Sequence, residues 1–163
     1  MRGLRKFITT LPLLLASTIV QAGVIVNRAA QPGGAISKPT SGTTISPGQA
    51  FDFAYTDRNA CHSGYSNFTV YLAAEEPTGD DVTSSGILTN SLFLFGNYFV
   101  SNFDLLPPLD PVQFPPPPTS LITPTLDGQD GKEVFFTVVE RFSGCPPEGH
   151  TEYGLSTVPV EYN

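Results

Sequence analysis

The chain has no tryptophan, one methionine, two cysteines, two histidines and only eight lysine and arginine residues in 163. Few cations against fifteen carboxylates argue against nucleic acid and anionic lipid, which are gripped mainly by Lys and Arg. The two histidines, His62 and His150, form no tight H-x-x-x-H pair, so no diagnostic metal-ligand spacing exists. No G-x-S-x-G elbow marks a nucleophilic serine. After residue 22 no window holds an apolar period of 3.6 for three turns, which excludes a helical bundle. Without tryptophan, the chain also lacks the ring on which the core disulfide of antibody domains packs.

What is present begins with an export pattern. Arg2, Arg5 and Lys6 precede an apolar stretch from Phe7 to Val20, and "VQA" offers small residues at Val20 and Ala22 for cleavage. Thr9, Thr10, Pro12, Ser17 and Thr18 interrupt a stretch shorter than the ~20 residues a membrane span needs. We therefore expect a signal peptide over 1–22 and one secreted domain over 23–163, with no hydrophobic tail for a glycolipid anchor. That domain carries Arg28, Lys38, Arg58, Lys132 and Arg141 against scattered carboxylates, a pattern of solubility rather than of an acidic tail. In an oxidising compartment two cysteines predict one disulfide, within one chain Cys61 to Cys145, with a bridge between two chains as the alternative. Asn67-Phe68-Thr69 is an N-x-T acceptor, which predicts a glycan on an outward-facing Asn67.

Short period-2 runs bounded by Gly, Pro, Asn or Ser predict an all-β fold. In "AFDFAYT", Phe51, Phe53 and Tyr55 share one face; in "NFTVYLA", Phe68, Val70 and Leu72 point inward while Asn67, Thr69 and Tyr71 point outward. "KEVFFTVVERF" is apolar on both faces, as a central strand is, and Pro159 places "EYGLSTVPVEY" at a sheet edge. "GVIVNR" and "GAISKP" are short opening strands, and "GILTNSLFLFGNYFV" holds one or two more. Turn signals at 46–49, 75–81 and 126–131 complete a two-sheet antiparallel sandwich of immunoglobulin or fibronectin III style, with a small barrel as the alternative. Eight of the sixteen prolines fall between Pro107 and Pro124, so 105–124 is a stiff, extended surface crossing rather than a ligand for a proline-reading module.

Ile36, Pro39, Ser41, Gly42, Thr43, Pro47, Gly48 and Gln49, followed by Tyr65, Asn67, Phe68, Thr69 and Val70, resemble a group of small secreted fungal proteins of unassigned function. More distantly, the opening is similar to the N-terminal domain of fungal cell-wall proteins linked to β-1,6-glucan assembly. The resemblance implies a secreted sandwich and no established activity. The "DRNACHSG" loop departs from the group's pattern.

In such a sandwich the loops holding Cys61 and Cys145 lie at one end, so the disulfide is an end clamp, and His62, His150, Asp57 and Glu148 gather near it as candidate ligands for zinc or copper. Carbohydrate recognition would use Tyr65, Tyr71, Tyr98 or Tyr153 as flat rings. The expected function is a non-catalytic extracellular or cell-wall interaction protein without cofactor, its partner a wall polysaccharide or an extracellular protein. The alternatives are a carbohydrate-binding domain and a metal-dependent or hydrolytic enzyme.

Overall fold

The computed structural model describes residues 30–103, 114–147 and 149–163. The expected signal peptide, the "GVIVNR" strand, Glu148 and the first part of the proline-rich crossing lie outside them. Ten strands follow one another: β1 (Gln31–Pro32), β2 (Ala35–Lys38), β3 (Thr43–Ile45), β4 (Ala50–Asp52), β5 (Ala54–Thr56), β6 (Tyr65–Ala73), β7 (Ser91–Ser101), β8 (Ser120–Ile122), β9 (Lys132–Cys145) and β10 (His150–Tyr162). The only helical element described is a 3-10 turn, Gly79–Asp81.

The large sheet has the order β1-β10-β9-β6-β7, with β3 also on β10. The other layer is built on residues 50–56, whose first half pairs with β8 and whose second half pairs with β2. Phe53 sits between β4 and β5 and donates its N–H to Thr119 O at 2.9 Å, which carries the ladder across the break. The expected all-β sandwich is therefore present. It differs in one respect from a wholly antiparallel one: β1 and β3 run parallel to β10.

Pro159 explains how β10 tolerates those neighbours. β10 is not the sheet edge that Pro159 alone predicts: Gly42 donates to Pro159 O at 3.0 Å, so the backbone polar groups of residue 159 face the chain entering β3, not β9. The absent N–H costs no bond in the long β9–β10 ladder.

Alternation sets the core. Phe51 and Phe53 from one layer meet Phe68, Val70 and Leu72 of β6, Val134, Phe136 and Val138 of β9, and Val160 and Tyr162 of β10. Phe136, fully buried, receives Phe51 edge-on at 5.7 Å and Phe53 at 5.6 Å, a geometry that favours ring quadrupoles as well as burial. β9 lies between β10 and β6 and is buried on both faces over much of its length, as its double apolar pattern predicts. Its outer face is covered by the segment from Gly79 to Thr89, closed by a Val82–Leu88 bridge and by Thr89 N–H donating to Asp81 O at 2.9 Å. Beneath it Tyr71, Ala73, Leu88 and Val139 form a second, smaller apolar cluster.

Candidate functional site

The "DRNACHSG" loop is held from below by a carboxylate. Val134, Phe136, Val138 and Glu140 alternate on the inner face of β9, so Glu140 enters the protein with no exposed surface. It accepts the Tyr55 hydroxyl at 2.7 Å, the Gly34 N–H at 3.2 Å, the Arg58 N–H at 3.0 and 3.1 Å, and the Asn59 N–H at 3.0 Å. Backbone and phenol dipoles thus replace the water that a buried carboxylate loses. Gly34 must be glycine here, because a Cβ would meet Thr56 O at 2.1 Å and Arg58 N at 2.9 Å. Burial first, and the Glu140 charge second, push the Tyr55 phenol far above its ordinary 10.0.

Beyond Asn59 the loop closes on itself. Ser63 N–H donates to Asn59 Oδ1 at 2.7 Å, Asn59 Nδ2 donates to Ser63 O at 3.0 Å, and Ser63 Oγ donates to Ser143 O at 2.5 Å. Cys61 is then bonded to Cys145, with 4.9 Å between Cα atoms. The expected end clamp is present, joining the loop after β5 to the end of β9.

The remaining candidates at this end are placed separately. His62 is exposed at the turn with φ of 54°, its N–H donating to Asn59 O at 3.0 Å. Asp57 accepts the Ser66 hydroxyl at 2.6 Å. His150 Nε2 lies 2.6 Å from Glu152 Oε1, and Gln31 also donates to the Glu152 carboxylate. Glu148 is outside the described residues. Among the described residues no three His, Cys, Asp or Glu side chains are grouped to hold a metal ion.

The aromatic candidates do not form the flat row that sugar stacking calls for. Tyr98 points into the main core and Tyr71, although on the outer face, is buried under the 79–89 segment. Burial pushes both phenols upward in pKa. Tyr65 and Tyr153 are half-buried.

The open recess of interest lies on the outer face of the large sheet. It has a volume of about 140 Å³ and is lined by Asn67 and Thr69 of β6, Asn97 of β7, Arg141 of β9 and Tyr153 of β10, with Gly86 and Phe114 at its margins. Register puts these groups together: Asn67 lies opposite Arg141, Arg141 opposite Tyr153, and Thr69 opposite Asn97. The Thr69 hydroxyl donates to Asn97 Oδ1 at 2.6 Å, which fixes that amide and leaves its NH₂ group pointing elsewhere. The Arg141 guanidinium is exposed and has no ion pair among the described residues. The Tyr153 ring lies against Gly86, where a Cβ would come within 2.3 Å of it and where φ is +80°. Amide, hydroxyl, guanidinium and phenol thus converge on one open, partly apolar floor. Sequence alternation alone assigns Asn67 and Thr69 to this outer face; the recruitment of Asn97 and Arg141 depends on strand register.

No family model, no curated protein and no solved structure matches this chain.

Proposed function

We propose that the protein works outside the cell, without catalysis, as a wall-associated interaction domain that takes a saccharide in the recess between Asn67, Asn97, Arg141 and Tyr153. One observation carries the reading: polar groups able to bond hydroxyls surround an open recess on a rigid sheet face. Its volume of about 140 Å³ is below the ~300 Å³ at which drug-sized ligand pockets begin, and suits one sugar unit at a chain end or branch. The Cys61–Cys145 disulfide is compatible with an extracellular setting. The export pattern over 1–22 and the resemblance of residues 36–49 and 65–70 to secreted fungal proteins support that setting.

The test is retention on insoluble β-glucan and chitin with soluble oligosaccharides as competitors. The chain is produced in an oxidising bacterial compartment, so that the disulfide forms and Asn67 stays bare. Retention on one polymer is expected, and Arg141→Ala or Asn97→Ala should each weaken it about tenfold, the equivalent of one lost hydrogen bond of ~1.4 kcal/mol. Absence of retention on both polymers would remove the saccharide reading.

A further inference from the structure

The acceptor asparagine of the N-x-T triplet and the floor of the recess are the same residue. Asn67 faces outward on β6, lines the recess, and makes no side-chain hydrogen bond among the described residues. We propose that Asn67 carries an N-linked glycan whose first sugar seats in this recess in cis, between Arg141 and Tyr153, so that occupancy of Asn67 sets how much of the secreted protein takes a saccharide in trans: only chains left bare at Asn67 do. The inference deepens the saccharide reading and rests on it for the blocking effect, but the seating of the glycan stands on its own geometry.

The chemistry is a glycosyl transfer. Nδ2 of Asn67 attacks C1 of an oligosaccharide carried on a lipid pyrophosphate; the C1–N bond forms, the C1–O bond breaks, and the pyrophosphate leaves with its electron pair. The amide gives up one proton. Asn67 lies on a strand flanked by β7 and β9, so the transferase must meet it while the chain is still extended. The sheet then closes around a side chain already bearing its sugar.

Where that sugar goes is constrained by its tether. The recess opens directly at Asn67, its volume of about 140 Å³ holds one ring rather than several, and Arg141 sits opposite Asn67 in register. An N-acetyl carbonyl is an acceptor for the exposed Arg141 guanidinium, and the Tyr153 ring gives the acetyl methyl an apolar surface. Asn97 is held by Thr69, the third residue of the same acceptor triplet. The triplet therefore supplies both the attachment point and one wall.

The experiment compares two preparations of the full chain: the bare form above, and the form secreted from a eukaryotic host, trimmed enzymatically to a single N-acetylglucosamine. Glycopeptide mass should place the sugar on Asn67, and through-space NMR contacts should link its acetyl methyl to the Tyr153 ring and the Gly86 amide. The trimmed form should bind the competing oligosaccharide at least tenfold more weakly than the bare form. An unmodified Asn67 in the secreted chain, or a sugar that makes no contact with Tyr153 and Gly86, would overturn the seating. Contacts without any difference in affinity would overturn the blocking. Contacts in a protein whose bare form binds no saccharide would support the seating and remove the saccharide reading alone.

Discussion

Glu140 is the residue on which the end loop depends, because its two oxygens serve donors from three separate parts of the chain: Gly34, Tyr55, and the Arg58–Asn59 backbone. Glu140→Gln puts an NH₂ group among these donors whichever way the amide turns. Either Asn59 N–H or the Tyr55 hydroxyl loses its acceptor, while Arg58 N–H keeps the other oxygen and Gly34 N–H keeps the Tyr55 oxygen at 2.8 Å, and a buried donor left unpaired costs about 1–3 kcal/mol. Because the remaining bonds also lose their charge, equilibrium denaturation should show a loss of ~3 kcal/mol. Tyr55→Phe removes one donor and leaves the carboxylate its backbone partners, so a smaller loss of ~1–2 kcal/mol is expected. The same residue governs alkaline behaviour. Unfolding returns the Tyr55 phenol to its ordinary 10.0, so above about pH 10 the unfolded chain gives up a proton that the folded chain keeps. Stability present in full below pH 10 should then fall as pH rises, by up to ~1.4 kcal/mol per pH unit from this group. Tyr71 and Tyr98 shift in the same direction and add to the slope. Denaturation midpoints measured between pH 9 and 11 check this, and Tyr55→Phe should flatten the curve.

At the scale of elements, β9 organises both faces of the large sheet. Its even positions from Val134 to Phe142 build the inner side, and Val139 and Arg141 build the outer one. Phe136→Ala should cost about 3–5 kcal/mol in the same assay, since two rings of the opposite layer rest on Phe136 and a cavity would remain. The double apolar run of this strand is legible as a central position, though the clearest strand signal is the strict alternation of "AFDFAYT". Alternation placed Phe51, Phe53, Tyr55, Phe68, Val70 and Leu72 correctly on inner faces, since period 2 needs no knowledge of partners. The same alternation carried the signal for Glu140, a carboxylate in phase with Val134, Phe136 and Val138, but the run's apolar character masked it. Alternation puts Tyr71 on the correct, outer face but leaves it exposed there, whereas it is buried. What covers it is the irregular 79–89 segment, which has no period from which its path could be read. The recess was illegible for a related reason: Asn67, Asn97 and Arg141 belong to three strands, and only their mutual register brings them together.

For the molecule as a whole, the disulfide and Glu140 act on the same stretch of chain from two sides. Cys61–Cys145 closes a loop with a separation of 84 residues, which the chain-entropy model values at about 4.5 kcal/mol. Against a typical domain stability of ~5–15 kcal/mol this is a large share. Reduction and alkylation should lower the denaturation midpoint markedly, with intact mass confirming that two thiols have been exposed. The size of the loss tests how independent the two restraints are. Glu140 grips Arg58 and Asn59, only two residues before Cys61, and Asn59 in turn holds Ser63 on the other side of the bridge. Sites this close share one loop and need not add. Once the bridge is open, the 57–63 loop can leave the end of β9, and the donors that Glu140→Gln would strand become free to find water. The combined loss in reduced Glu140→Gln protein should therefore be smaller than the sum of the separate losses, by about 1 kcal/mol or more. Strict additivity would mean that the carboxylate and the disulfide hold the end of the sandwich separately, and that the loop stays docked on β9 without its bridge.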